Sequence, residues 1–139
     1  MTSALAGVLD VATFKFCYID SPANANTLFA SVRTAIEGLE SAYPGVTFVW
    51  WTMPIETSPN AQRQAYNDLV RSYCSANRKW LLDIADLESH NDSGAASTSG
   101  SYEILYSGYS SDGGHLNAAG AGKLAKAYWK LLAEIAKSR

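Results

Sequence analysis

The chain has 139 residues, of which 47% are hydrophobic and 17% charged, and a formal net charge of −2. That length holds one domain with a single core and excludes two, and the composition excludes a generally disordered chain. The 11 Lys and Arg are scattered, so no basic field is offered to nucleic acid, and no apolar run reaches the roughly 18 to 20 residues that span a bilayer. The opening MTSALAGVLD lacks the basic n-region and long apolar stretch of a secretory signal. As written, the sequence is that of a cytoplasmic protein, and a secreted full-length parent stays compatible with it.

In chain order, Val8 to Ile19 (VLDVATFKFCYI) is rich in Val, Phe, Tyr and Ile without a helical stripe, and the turn signal DSPAN follows, which predicts a strand. Leu28, Val32, Ile36, Leu39 and Tyr43 then recur on one helical face until Pro44 and Gly45 stop it. Val46 to Met53 (VTFVWWTM) is a short apolar run, as expected of a strand covered on both faces. Ser58 as N-cap with Pro59 at the first helical position predicts a second helix, striped by Tyr66, Leu69, Val70 and Tyr73. Leu81 to Asp86 (LLDIAD) reads as a third strand. The Ser/Gly-rich SHNDSGAASTSGS that follows is expected to be a mobile loop, with His90 to Ser101 as its flexible part. A last helix runs from Ala118 to Lys137 on Leu124, Tyr128, Leu131 and Ile135, with Asn117 as its N-cap.

Strands alternating with helices predict a parallel sheet with helices on its faces, and ligands at the carboxyl ends of the strands. The loops DSPAN and PIETSP and the turn SDGGHLN all fall at that edge. In this turn Asp112 precedes His115 by three residues. A carboxylate there can accept a proton from one ring nitrogen, fix the tautomer, and leave the other nitrogen free as a base. The structural alternative is that Asp112 only shapes a turn and His115 only packs at the helix entry.

The segment GYSSDGGHLNAAGAGKLA resembles the last motif block of the SGNH/GDSL hydrolases, in which an Asp-x-x-His turn supplies the acid and base of a Ser-His-Asp triad. The stretches DVATFKFCYID, VTFVWWTMPI and DLESHN are similar to the central and later strands of that family, so that the likeness runs over nearly the whole chain. By this resemblance Asp112 and His115 are the triad acid and base. No Gly-Asp-Ser block occurs in the sequence, and where the family has Gly-x-Asn-Asp the nearest segment reads KFCYIDS. The resemblance therefore implies the back half of such a hydrolase, beginning just before the family's third strand.

Other residues compete weakly for the nucleophile's role. Ser21 before Pro22 reads as a turn residue, Cys17 as a small buried apolar group, and Ser110 and Ser111 would have to fold back onto His115. A zinc set of Asp112, His115 and His90 lacks a third close ligand. Lys15 guards a strand edge or steers a substrate, while Trp50 and Trp51 point to opposite faces and read as core, with an aromatic platform for a sugar as the alternative. Cys17 in an apparent strand and Cys74 late in an apparent helix are poorly placed for a disulfide.

The expectation is a single α/β domain over residues 1–139. It has three layers around a short parallel sheet of three strands in sequential order, a partial flavodoxin-like or SGNH-hydrolase fold. Its function is expected to be that of a truncated or degenerate ester hydrolase that keeps Asp112 and His115, lacks the nucleophilic Ser and is inactive alone. The competing reading is a non-catalytic interaction or small-ligand-binding module. No cofactor or metal is expected, and the ligand would be a small ester or acylated sugar. Left at a sheet edge, the Val11–Ile19 strand would pair with its own copy in a homodimer.

Overall fold

The computed structural model describes residues 9–139. Its sheet has three parallel strands in the order β1 (Val11–Thr13), β2 (Thr47–Trp51) and β3 (Trp80–Leu82), with Val11 opposite Thr47 and Val49 opposite Trp80. Helix α1 (Ala25–Ala42) joins β1 to β2 and α2 (Ala61–Asn77) joins β2 to β3. A short α3 (Ile84–Ser89), a two-stranded hairpin of β4 (Thr98–Ser99) and β5 (Tyr102–Glu103), and a 20-residue α4 (Ala118–Lys137) complete the chain. No helix among the described residues is long and apolar enough to cross a membrane.

The sheet is covered on both faces, which is why β2 reads as a nearly unbroken apolar run. Trp50 turns to one face, against Phe29, Tyr66 and Tyr73 of α1 and α2. Trp51 turns to the other, with its ring 5.3 Å from that of Tyr128 on α4. Val49, Leu82, Ile84 and Ile135 close that second core, so the sheet is the middle of three layers.

Four expectations need correction. The strand predicted over Val8 to Ile19 has its first residue outside the described residues and ends at Thr13, because the chain then satisfies its backbone locally. The Cys17 N–H donates to Asp20 Oδ2 at 2.6 Å, the Asp20 N–H to the Cys17 carbonyl at 3.1 Å, and the Lys15 ammonium to the Phe16 carbonyl. Such side-chain acceptors compete with a sheet ladder. Helix α2 starts two residues later than Ser58-Pro59 suggests, at an Asn60 cap whose Oδ1 accepts the Arg63 N–H at 3.0 Å. The third strand stops at Leu82, since Asp83 accepts the Asp86 N–H and opens α3 instead.

The Ser/Gly-rich segment makes local hydrogen bonds of its own. Asn91 Oδ1 accepts the N–H groups of Ser93 and Ala95, His90 pairs with Ala96 in an antiparallel bridge, and Tyr109 donates to Asp92 at 2.6 Å. Cys17 is exposed rather than buried, Cys74 is buried in α2, and both are free thiols.

Candidate active site

The loops that leave β1 and β2 meet the turn before α4 at the carboxyl edge of the sheet. That turn is clipped at its base: Ser110 and Leu116 form an antiparallel bridge, and the Asn117 N–H donates to the Tyr109 carbonyl at 2.7 Å. Asn117 then caps α4 through Oδ1, which accepts from Ala119 and Gly120. Inside the turn Gly113 sits at φ +90°, a conformation that L side chains rarely adopt, so its glycine is required by the backbone.

Asp112 fastens this turn from within. Its Oδ1 accepts the N–H groups of Gly114 at 3.0 Å and His115 at 2.8 Å, and the Ser110 hydroxyl donates to the same oxygen at 3.2 Å. Its Oδ2 lies 2.5 Å from His115 Nδ1. The hydrogen bond to His115 first, and the two backbone N–H groups after it, hold the Asp112 carboxyl well below the usual carboxylate range. With Nδ1 donating to an ionised carboxylate, the lone pair of the imidazole is on Nε2. The ring is 69% exposed, and Nε2 has no hydrogen-bond partner among the described residues.

Two segments distant in sequence brace the turn. The Tyr18 ring meets His115 edge-on, with ring centroids 4.5 Å apart and planes at 68°. The same ring lies so close over Gly114 that a Cβ there would sit 2.2 Å from it. On the β2 side, the Thr57 N–H donates to the Gly113 carbonyl at 3.0 Å. Neither Tyr18 nor Thr57 was foreseen from the sequence. Nothing local marks them, because each acquires its role only when loops from separate strands converge.

The other candidates are placed as follows. Ser21 accepts a hydrogen bond from Asn60 Nδ2 at 2.7 Å, as a turn residue held by the start of α2. Ser110 is engaged with Asp112 and with the Gly113 N–H at 2.9 Å, and Ser111 is exposed. His90 caps α3, its Nδ1 beside the Asp86 carbonyl at 2.9 Å. Among the described residues no three His, Cys, Asp or Glu side chains are grouped to hold a metal ion. A groove of about 640 Å³ runs between the 14–16 segment and the start of α1, lined in part by Phe14, Phe16, Ser21, Leu28 and Met53.

No family model and no curated protein matches the sequence. Solved structures do. A candidate acylhydrolase from Bacteroides fragilis superposes with a TM-score of 0.66 at 13% identity, over 93% of this chain and 62% of that one. The chain has an SGNH/GDSL-like fold. A GDSL-like lipase from Bacteroides thetaiotaomicron gives a TM-score of 0.59 at 16% identity, over 84% of this chain and 54% of its own. A candidate platelet activating factor from Streptococcus pneumonia gives 0.58 at 17%, over 88% and 59%. The chain thus spans 54 to 62% of the length of these three structures, and at these identities the likeness is one of fold.

Proposed function

We propose that this domain carries the acid and base of an ester-hydrolase site, and that the attacking hydroxyl comes from outside residues 9–139. His115 Nε2 takes the proton of that hydroxyl as it attacks an ester carbonyl. Asp112 stabilises the imidazolium, and His115 then returns the proton to the leaving alcohol; backbone N–H groups would hold the oxyanion. The observation that carries this reading is the 2.5 Å contact between Asp112 Oδ2 and His115 Nδ1 beneath an exposed ring. The absence of any Gly-Asp-Ser sequence supports the claim that the site is incomplete in this chain. Substrates would be small esters or acylated sugars.

The test is a rate comparison on a short activated ester. The purified chain should hydrolyse it no faster than His115→Ala, because without a nucleophile there is no covalent route. A rate a hundredfold above that control would show that a nucleophile is present after all, with Ser21 and Cys17 the first to mutate.

A second reading, a small-ligand-binding module on the same fold, draws on the groove beside Phe14 and Phe16. It predicts that ligand binding survives His115→Ala and is lost on Phe16→Ala.

A further inference from the structure

The two braces of the dyad turn share one anchor. Arg63, in the first turn of α2, is 2% exposed, and its guanidinium reaches both supporting loops. One terminal nitrogen donates to Glu56 Oε2 at 2.9 Å, and the other to the carbonyls of Tyr18 at 2.5 Å and Asp20 at 3.3 Å. Tyr18 is the residue whose ring meets His115, and Glu56 directly precedes Thr57, which holds Gly113. The neighbouring cap residue Asn60 adds its bond to Ser21, so the start of α2 grips the 18–21 turn at three points.

A planar fork of donors suits this place. An ammonium is a single point charge and cannot span two loops in fixed geometry, whereas a guanidinium binds a carboxylate on one side and carbonyls on the other. Desolvating a cation is costly unless its hydrogen bonds are good, so a buried Arg joining two loops marks a position where geometry is held at some expense of stability. His115 itself is exposed. Among the described residues its ring has one hydrogen bond, from Nδ1 to Asp112, and one aromatic neighbour, Tyr18, which meets it edge-on. An exposed imidazole hinged on one hydrogen bond could still swing about it, and the Tyr18 ring stands beside it with centroids 4.5 Å apart.

We infer that Tyr18 and Arg63 are positioning residues of the dyad: Tyr18 fixes the plane of the His115 imidazole, and Arg63 fixes Tyr18 together with the Glu56–Thr57 segment that holds Gly113. The inference rests on the hydrolase reading for its purpose, but its geometry can be read in the free chain without any ester. Arg63 acts through other residues and touches no reacting atom. Tyr18 acts through contact with the ring, and its hydroxyl plays no part.

The experiment is proton NMR of the full chain, following the far-downfield Nδ1 proton of His115 and the cross-peaks between the His115 and Tyr18 rings. In the wild type both are present, and His115→Ala assigns them. Tyr18→Phe keeps the ring and keeps the downfield resonance sharp. Tyr18→Leu loses the ring contact, and the resonance broadens away as the imidazole moves and exchanges with water. Gly114→Ala drives the Tyr18 ring aside and gives the same loss. Arg63→Met also gives it, whereas Arg71→Met, which breaks pairs with Asp83 and Glu103, lowers stability and leaves the resonance intact.

If Arg63→Met does not fold, Arg63→Lys, which keeps the charge and loses the fork, takes its place, and an unchanged resonance in either folded variant overturns the part assigned to Arg63; Tyr18→Leu and Gly114→Ala test the part assigned to Tyr18. An unchanged resonance in folded Tyr18→Leu and Gly114→Ala overturns the inference while leaving the dyad standing. A wild type with no Nδ1 resonance, in a sample whose other amide and ring signals are well dispersed, likewise overturns the inference that the ring is held, whereas an Asp112 carboxyl that titrates identically with and without His115 overturns the dyad itself. These two failures are therefore distinguishable.

Discussion

Asn67 of α2 pairs with the backbone of Met53 through both ends of its amide: Oδ1 accepts the Met53 N–H at 2.6 Å, and Nδ2 donates to the Met53 carbonyl at 3.1 Å. Both residues are buried, at the point where the chain leaves β2 and no strand partner remains to satisfy it. The side chain thus stands in for a neighbouring strand. Asn67→Leu leaves a buried N–H and a buried carbonyl unpaired, at about 1–3 kcal/mol each. A loss of roughly 2–5 kcal/mol in urea-induced unfolding is expected, and a change under about half a kcal/mol would show that the amide is dispensable.

Stability should also depend on pH through Glu88. Its carboxyl is 4% exposed and accepts the Ile55 N–H at 2.7 Å. Burial pushes its pKa up to about 7 from 4.5, outweighing that hydrogen bond and the charges of Lys15 and Arg63. The folded state then holds a proton that the unfolded state has released, so this contribution is present below pH 4.5 and lost as pH rises through about 7. The full swing is on the order of 3 kcal/mol. Glu88→Gln should remove the decline, measured as the difference in unfolding free energy between wild type and variant across that window. A difference independent of pH would contradict it.

Asp112 titrates in the opposite sense. Its carboxyl is held low chiefly by the His115 ring, with the N–H groups of Gly114 and His115 adding to the effect. In His115→Ala the side-chain bond goes and the backbone bonds stay, so the carboxyl carbon of Asp112 should titrate higher than in the wild type but not above an ordinary Asp. An identical titration in both proteins would mean that the ring contact does not persist in solution.

The edge of the sheet bears on self-association. Among the described residues β1 pairs with β2 on one side only, and Leu9 and Phe14 beside it are 42% and 53% exposed. We propose that two copies associate over this edge and the adjoining Phe14, with a three-residue ladder at most where the sequence suggested nine. Phe14→Glu should shift the sedimentation profile from dimer toward monomer at micromolar concentration. A wild type that sediments as a monomer under the same conditions would rule the association out.

What could be foreseen from sequence was what is encoded locally. The bounds of α4 follow from Asn117 and its apolar stripe, and the Asp112–His115 pair sits within one turn, so both were readable. The apolar run LLDIAD mimics a longer strand because Ile84 and Ala85 are apolar for another reason: they face the core from α3, after Asp83 has capped it. Ser58-Pro59 carries the stronger local cap signal, whereas Asn60 makes its second bond, to Ser21, with a residue 39 positions away. Contacts such as Arg63 with the Tyr18 carbonyl, 45 positions apart, leave no periodic trace at all.

The bridge between Ser110 and Leu116 makes the Asp112–His115 loop a small closed ring of chain, drawn tight by the acid's own oxygens. A loop of that kind is ready before anything docks beside it. On the hydrolase reading proposed above, whatever brings a hydroxyl to His115, whether a covalently joined segment or a separate molecule, need not organise the base at the moment of meeting. It has only to deliver one oxygen to the right point, and the entropy of arranging the proton acceptor has already been met by folding.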